Sequence, residues 1–281
     1  MKTPNLILPL MLLALFTLPA QSQSATGYAP VNGLELYYEI HGEGKPLVLI
    51  HGSYMTIDGW EGLLPELAKN HKVIALEMQG HGHTADSNRP FSYTAMADDI
   101  AKTLQHLNIE KADVLGYSFG GSIAIELAIK HPEVVNRLIV VSSVYKYTGW
   151  TAPVREALKG FTETVFDDSP MKAAYEKVAP DKKHWHAFVK KMMQFDTQNF
   201  DLGTDNVKKI TAPTLLLNGD NDGVDLNHTI EMYRLLGGGI FADMEGLPKS
   251  QLAIMPGKGH VALVEDFKAI APVIEGFLGK E

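Results

Sequence analysis

The sequence predicts an α/β chain with a mostly parallel central sheet flanked by helices. Three observations carry that prediction: short apolar runs that do not alternate, longer helical patterns between them, and a Gly-x-Ser-x-Gly motif joining one such run to one such helix. Strands buried on both faces read as continuous apolar runs, and their alternation with helices marks an open parallel sheet. The composition suits such a fold. Of 281 residues, 45% are hydrophobic and 21% charged, ordinary values for a chain that buries a sizeable core. Lys and Arg total 25 against 33 Asp and Glu, a formal net charge of −8 that argues against a nucleic-acid or anionic-membrane surface. The chain has no Cys, which excludes thiolate catalysis, Cys-ligated zinc, iron–sulfur clusters and disulfides.

Lys2 precedes an almost wholly apolar stretch from Leu6 to Leu18, and Ala20-Gln21-Ser22 then offers a small-x-small cleavage pattern. The stretch is roughly 13 residues, short of the roughly 20 that span a bilayer. Residues 1–24 are therefore expected to be a signal peptide cleaved near residues 20–24. The mature protein would be secreted or periplasmic, with no stable membrane anchor; an uncleaved N-terminal anchor is the alternative.

Candidate strands follow at Leu34–Ile40, Pro46–Ile50, Lys72–Leu76, Ala112–Leu115, Arg137–Ser142, Pro213–Asn218 and Gln251–Met255. Helical patterns lie near Trp60–Asn70, Tyr93–Leu107, Gly121–Lys130, Asn227–Leu236 and Val261–Leu278. The helix from Gly121 should stop at His131-Pro132, because proline bars the preceding residue from helical geometry. Asn32-Gly33 and Gly42-Glu43-Gly44 are turn signals framing an antiparallel hairpin at the start of the sheet. From about Tyr145 to Lys209 no strand is evident. That block is helical and aromatic-rich, and Trp185, Phe188, Met192 and Phe195 follow one another at helical spacing. Such a stripe packs as core, and an inserted helical block of this kind also builds a lid over an active site.

The chemistry centres on Gly116-Tyr117-Ser118-Phe119-Gly120. A sharp strand-to-helix turn lifts the Ser118 hydroxyl above the sheet, and the flanking glycines let strand and helix approach. Serine needs a base, and His260 lies in a tight loop just after the last predicted strand. A carboxylate must orient that His; Asp220 and Asp222 both follow the preceding strand. The order Ser, Asp, His suits this architecture. An oxyanion hole is expected from the N–H groups of Phe119 and Ser53, the latter in His51-Gly52-Ser53-Tyr54 after the strand Pro46–Ile50. His51 reads as a structural hydrogen-bonding residue. The close pairs His81/His83 and His184/His186 lack a Glu-x-x-His companion and read as structural or solvated His, so no metal site is expected.

From about Val31 onward the chain resembles the α/β-hydrolase fold family, through Asn32-Gly33-Leu34, His51-Gly52, the turn at Ser118, Gly219-Asp220-Asn221-Asp222 and Gly259-His260. The resemblance implies that residues 25–144 and 210–281 form the hydrolase core and residues 145–209 a helical cap. It also makes Asp222 the acid of the triad, with Asp220 the runner-up. Two departures stand out. Glu77-Met78-Gln79-Gly80-His81-Gly82-His83-Thr84 replaces the Asp, Arg and Ser of the family's Asp-x-Arg-Gly-x-Gly-x-Ser loop, which puts its usual ion-pair bracing in doubt. Ser53-Tyr54 stands where many members carry Gly-Gly-Pro, and Tyr54 is a candidate for substrate binding together with Trp185.

The expected function is a serine hydrolase that cleaves small-molecule carboxylic esters or lactones with an apolar portion, through an acyl-enzyme and without a cofactor. Amide or C–C bond hydrolysis and perhydrolysis use the same triad and form the alternative. A ligand-binding hydrolase fold without catalysis is the rival from another class.

Overall fold

A computed structural model of the protein describes residues 25–279, so the expected signal peptide lies outside the described residues. Eight strands form one sheet: β1 Ala25–Val31, β2 Leu34–His41, β3 Lys45–Ile50, β4 His71–Leu76, β5 Ala112–Tyr117, β6 Val135–Val141, β7 Thr214–Gly219 and β8 Gln251–Met255. The helices are α1 Leu63–Leu67, α2 Tyr93–His106, α3 Phe119–Lys130, α4 Ala152–Gly160, α5 Pro170–Val178, α6 Trp185–Asp196, α7 Thr204–Val207, α8 Leu226–Leu235, α9 Ala242–Glu245, α10 His260–Glu265 and α11 Phe267–Leu278. Spatial order in the sheet is β1-β2-β4-β3-β5-β6-β7-β8. Both partners of β2 are antiparallel to it, and every other pairing is parallel.

Strand β3 shows why continuous apolar runs build this sheet. Leu47, Val48, Leu49 and Ile50 are all fully buried. Leu47 and Leu49 join the cluster containing Leu63, Leu67 and Ile270 of α1 and α11, whereas Val48 and Ile50 join that containing Ile100 and Ile123 of α2 and α3. Side chains on a strand alternate between faces, so a sheet covered on both sides needs apolar residues at every position. Among the described residues no helix is long and apolar enough to cross a membrane.

Three expectations are corrected. The N-terminal hairpin joins β1 and β2 through Asn32-Gly33, both with positive φ (47° and 81°), the backbone of a tight hairpin turn. Gly42 to Gly44 instead leads into β3, which is separated from β2 by β4. The pattern Trp60–Asn70 is only a turn at Ile57–Trp60 followed by α1, because Glu61 (φ 27°) breaks the path between them. The last helical pattern is split at Asp266, whose ψ of 59° is not helical, leaving His260 at the first position of its own short helix.

Sheet order reverses between β3 and β5, the place where open α/β sheets form a ligand crevice at the carboxyl ends of their strands. The segment between β6 and β7 carries α4 to α7, and residues from α4 and α6 line a cavity over those strand ends.

Candidate active site

Five strand ends converge on the crevice. Strand β3 leads to Ser53, β5 to Ser118, β6 to Ser142, β7 to Asp222 and β8 to His260. Ser118 itself is strained, with φ 54° and ψ −119°, and α3 begins at the next residue. The glycines on either side are dictated by close approach. A Cβ on Gly116 would stand 2.2 Å from the Gly120 carbonyl oxygen, and one on Gly120 would stand 2.2 Å from that of Ile50. No larger side chain fits either place, so strand, turn and helix are held within van der Waals distance.

The Ser118 hydroxyl lies 2.9 Å from His260 Nε2, and His260 Nδ1 lies 2.8 Å from Asp222 Oδ1. Asp222 is completely buried at its side chain, whereas His260 remains 28% exposed, open to the crevice. Asp222 Oδ1 also accepts from the Val224 N–H at 3.2 Å, and Oδ2 accepts from the Ser142 hydroxyl and, at 3.5 Å, the Gly219 N–H. Burial alone would raise the Asp222 carboxyl. The hydrogen bond and charge of His260, with the Ser142 and Val224 donors, outweigh burial and hold it below the ordinary aspartate value. An ionised Asp222 keeps the proton on Nδ1 and leaves Nε2 as the acceptor, so the imidazole is set to take a proton from Ser118. Tyr117 donates to the His260 carbonyl oxygen at 3.2 Å, and Trp150 stands edge-on to the imidazole.

Asp220 is exposed and accepts from the Lys258 N–H (3.2 Å) and the Asn221 side-chain amide (2.7 Å), bonds that brace the turn between β7 and α8. The structure therefore brings Asp222, and not Asp220, to the histidine.

The loop carrying Ser53 is held from below by two neutral imidazoles. His51 is fully buried, its Nδ1 bonded to the Gly52 carbonyl (2.8 Å) and its Nε2 accepting from the Met78 N–H (3.1 Å). His81 Nε2 accepts from the Tyr54 N–H at 3.3 Å. Burial keeps both rings below the usual histidine range, which preserves these acceptors. His83 binds Glu77 at 2.9 Å, while His184 and His186 pair with Asp86 and Asp167, so neither His pair converges. The substituted loop is braced differently from the family pattern: Arg89 pairs with the fully buried Asp99 and also donates to Gln79 Oε1 at 2.9 Å. A cation ten residues downstream supplies the bracing that the missing loop arginine would have given.

A cavity of about 960 Å³ opens above Ser118 and His260. Its apolar wall comes from Trp150, Val154, Leu158, Phe166 and Met171 of the inserted block. Tyr54 faces it too, its ring 4.6 Å from that of Phe166. Trp185, expected at the pocket, does not line the cavity. It is 2% exposed and packs against Tyr175 and Phe188. The stripe Trp185, Phe188, Met192, Phe195 is core throughout, since a period of 3.6 aims all four at the body of the protein.

Two residues at the site escaped the sequence reading. Ser142 carried a weak signal as a hydroxyl at the end of a buried strand. Asp196 carried a stronger one, as the single acid that closes the apolar stripe of α6.

The family described as alpha/beta hydrolase fold matches residues 45–190, just over half the chain. Over 124 residues the chain is 41% identical to 2-hydroxymuconate semialdehyde hydrolase of Pseudomonas sp. (strain CF600), a match covering 42% of this chain and 41% of that protein. The chain thus spans about two fifths of the length of that curated relative. A longer match, 25% identical and covering 93% of each chain, is to 2-hydroxy-6-oxo-6-(2'-aminophenyl)hexa-2,4-dienoic acid hydrolase of Metapseudomonas resinovorans. Among solved structures, a meta-cleavage product hydrolase from Pseudomonas fluorescens IP01 superposes with a TM-score of 0.73 at 22% identity, covering 91% of this chain and 97% of that one. The mostly parallel sheet, the order of Ser118, Asp222 and His260, and the family match lead to one conclusion: the chain belongs to the α/β hydrolase fold family.

Proposed function

We propose that the protein is a serine hydrolase of uncharged carboxylic esters or lactones with an apolar portion. One observation carries the reading: Ser118, His260 and Asp222 lie in hydrogen-bonding sequence, 2.9 and 2.8 Å apart, at the floor of a largely apolar cavity. Ser118 Oγ attacks the carbonyl carbon as its proton passes to His260 Nε2. The buried carboxylate of Asp222 stabilises the imidazolium. Negative charge develops on the carbonyl oxygen, where the N–H groups of Phe119 and Ser53 would receive it. Phe119 opens α3, so its N–H has no acceptor within the helix. His260 then protonates the departing alcohol, and water repeats the sequence in reverse to free the acid and Ser118.

C–C bond hydrolysis is the second reading, favoured by the names of the relatives. The cavity argues against their substrates. A dienoic acid is a carboxylate at neutral pH, yet none of the residues lining the cavity is Lys or Arg. Its acidic side chains are Glu61, Asp196 and Glu265. Burying an anion against carboxylates and without a cation is costly. A panel of esters and lactones of graded chain length, run beside an anionic ring-cleavage dienoate, tests the choice. Turnover of neutral esters with none of the dienoate is expected; efficient dienoate cleavage with inert esters would overturn it.

A further inference from the structure

We propose that Asp196 is the recognition group for a cationic nitrogen on the substrate, which makes the favoured substrate an ester with an ammonium-bearing portion. The inference rests on the ester-hydrolase reading above and narrows its substrate class. Asp196 closes α6 and lines the same cavity as Ser118 and His260. Its carboxyl is enclosed by protein except where it opens to that cavity, which leaves the residue partly accessible. Its partners are two hydroxyls, Ser53 Oγ at 3.3 Å on Oδ1 and Tyr54 Oη at 3.0 Å on Oδ2. A carboxylate offers about four acceptor directions, so these bonds leave capacity unused.

What the carboxyl lacks is a counter-charge. It takes part in no ion pair among the described residues, and no Lys or Arg lines the cavity. Enclosed without a cation, it is held to protons up to about 7 by burial, against which the two hydroxyls work only partly. A cationic group entering the cavity would supply the missing charge and draw that proton off. The surroundings suit such a group. Tyr54 and Tyr93 line the cavity and feel the charge of Asp196, and the Phe166 ring lies tilted against Tyr54. Aromatic faces beside a carboxylate are the chemistry that holds ammonium groups. Apolar walls, an acid without a counter-charge among the described residues and acidic rim residues all select against anions and for cations.

The test uses three matched phenyl esters sharing one spacer, ending in trimethylammonium, tert-butyl or carboxylate. Binding to the full-length Ser118→Ala protein is measured by calorimetry, and turnover by the unaltered enzyme is measured separately. We expect the cation to bind at least about tenfold more tightly than its tert-butyl isostere, with the carboxylate weakest. In Ser118→Ala/Asp196→Asn the first ratio should fall to about one, and Asp196→Ala serves in the same role should the amide variant not fold. Equal affinities for cation and isostere in Ser118→Ala, which needs no change at Asp196, would overturn the inference, as would a preference that survives both substitutions. Cation preference without turnover of any of the esters would uphold the role of Asp196 and overturn the esterase reading. Turnover of the tert-butyl ester without cation preference would do the reverse.

Discussion

Replacing Asp222 by Asn separates charge from geometry in the triad. In the native protein all four partners of the carboxylate are donors: His260 Nδ1 and the Val224 N–H on Oδ1, the Ser142 hydroxyl and the Gly219 N–H on Oδ2. An amide must present its NH₂ to one side. The Ser142 hydroxyl can rotate to accept, and Gly219 is distant at 3.5 Å, whereas Val224 N–H is fixed at 3.2 Å. The NH₂ should therefore face Ser142, leaving the amide oxygen on His260 and the tautomer intact. What is lost is the charge beside the imidazolium. At a separation of about 4 Å and an effective dielectric constant of about 20, that interaction is about 4 kcal/mol. The same energy in the transition state corresponds to about a thousandfold in kcat/KM. If the amide turned the other way the imidazole would be held in the wrong tautomer, and the loss would reach about ten-thousandfold. The assay is hydrolysis of a para-nitrophenyl ester by Asp222→Asn and Asp220→Asn side by side. Asp220 is exposed and braces a turn, so its variant should stay within about threefold of the native rate. A near-normal Asp222→Asn enzyme beside a crippled Asp220→Asn enzyme would refute the reasoning.

Trp185→Ala should cost about 3–5 kcal/mol in chemical denaturation while leaving the ratio of kcat/KM values for short and long esters unchanged, because Trp185 is buried away from the cavity. Gly120→Ala places a Cβ 2.2 Å from the Ile50 carbonyl oxygen, so it should lower stability by at least about 3 kcal/mol and remove activity with it. Asp196 holds its proton in the native state up to about 7 but releases it near 3.9 when unfolded. Between those values the native state binds the extra proton, so its contribution to stability falls as pH rises from about 4 to about 7. Melting curves should show Asp196→Asn gaining on the native protein through that window by up to about 4 kcal/mol, and parallel curves would contradict the assignment.

Most of the sheet was legible in the sequence because both of its faces are buried, and strands such as β3 and β7 spell that out as unbroken apolar runs. Strand β1 was not. It is a half-exposed edge that contains Gly27 and Pro30, residues that disfavour strands, and it forms by pairing with β2. That Ser118, Asp222 and His260 meet in one crevice was legible because each follows a strand end in a motif with its own local chemistry. Which of Asp220 and Asp222 meets His260 rested on family pattern alone, since a two-residue step in a turn reverses which side chain points inward. The lining of the cavity was the least legible part. The 3-4-3 stripe of α6 marks a buried face without saying whether protein or ligand covers it, and here protein does. The acid that ends the same helix reaches the cavity beside Ser53 and Tyr54 of the loop after β3, a tertiary fact that periodicity does not encode.

The central claim is that Ser118 is a nucleophile activated by His260 and Asp222. Its most direct measurement is the rate and site of labelling by a fluorophosphonate, read by peptide mass spectrometry in the native protein and in Ser118→Ala, His260→Ala and Asp222→Asn. A single adduct on Ser118 is expected, with none in Ser118→Ala and labelling slowed by at least about a hundredfold in the other two. Equal rates in native and His260→Ala protein, or an adduct that persists in Ser118→Ala, would contradict it.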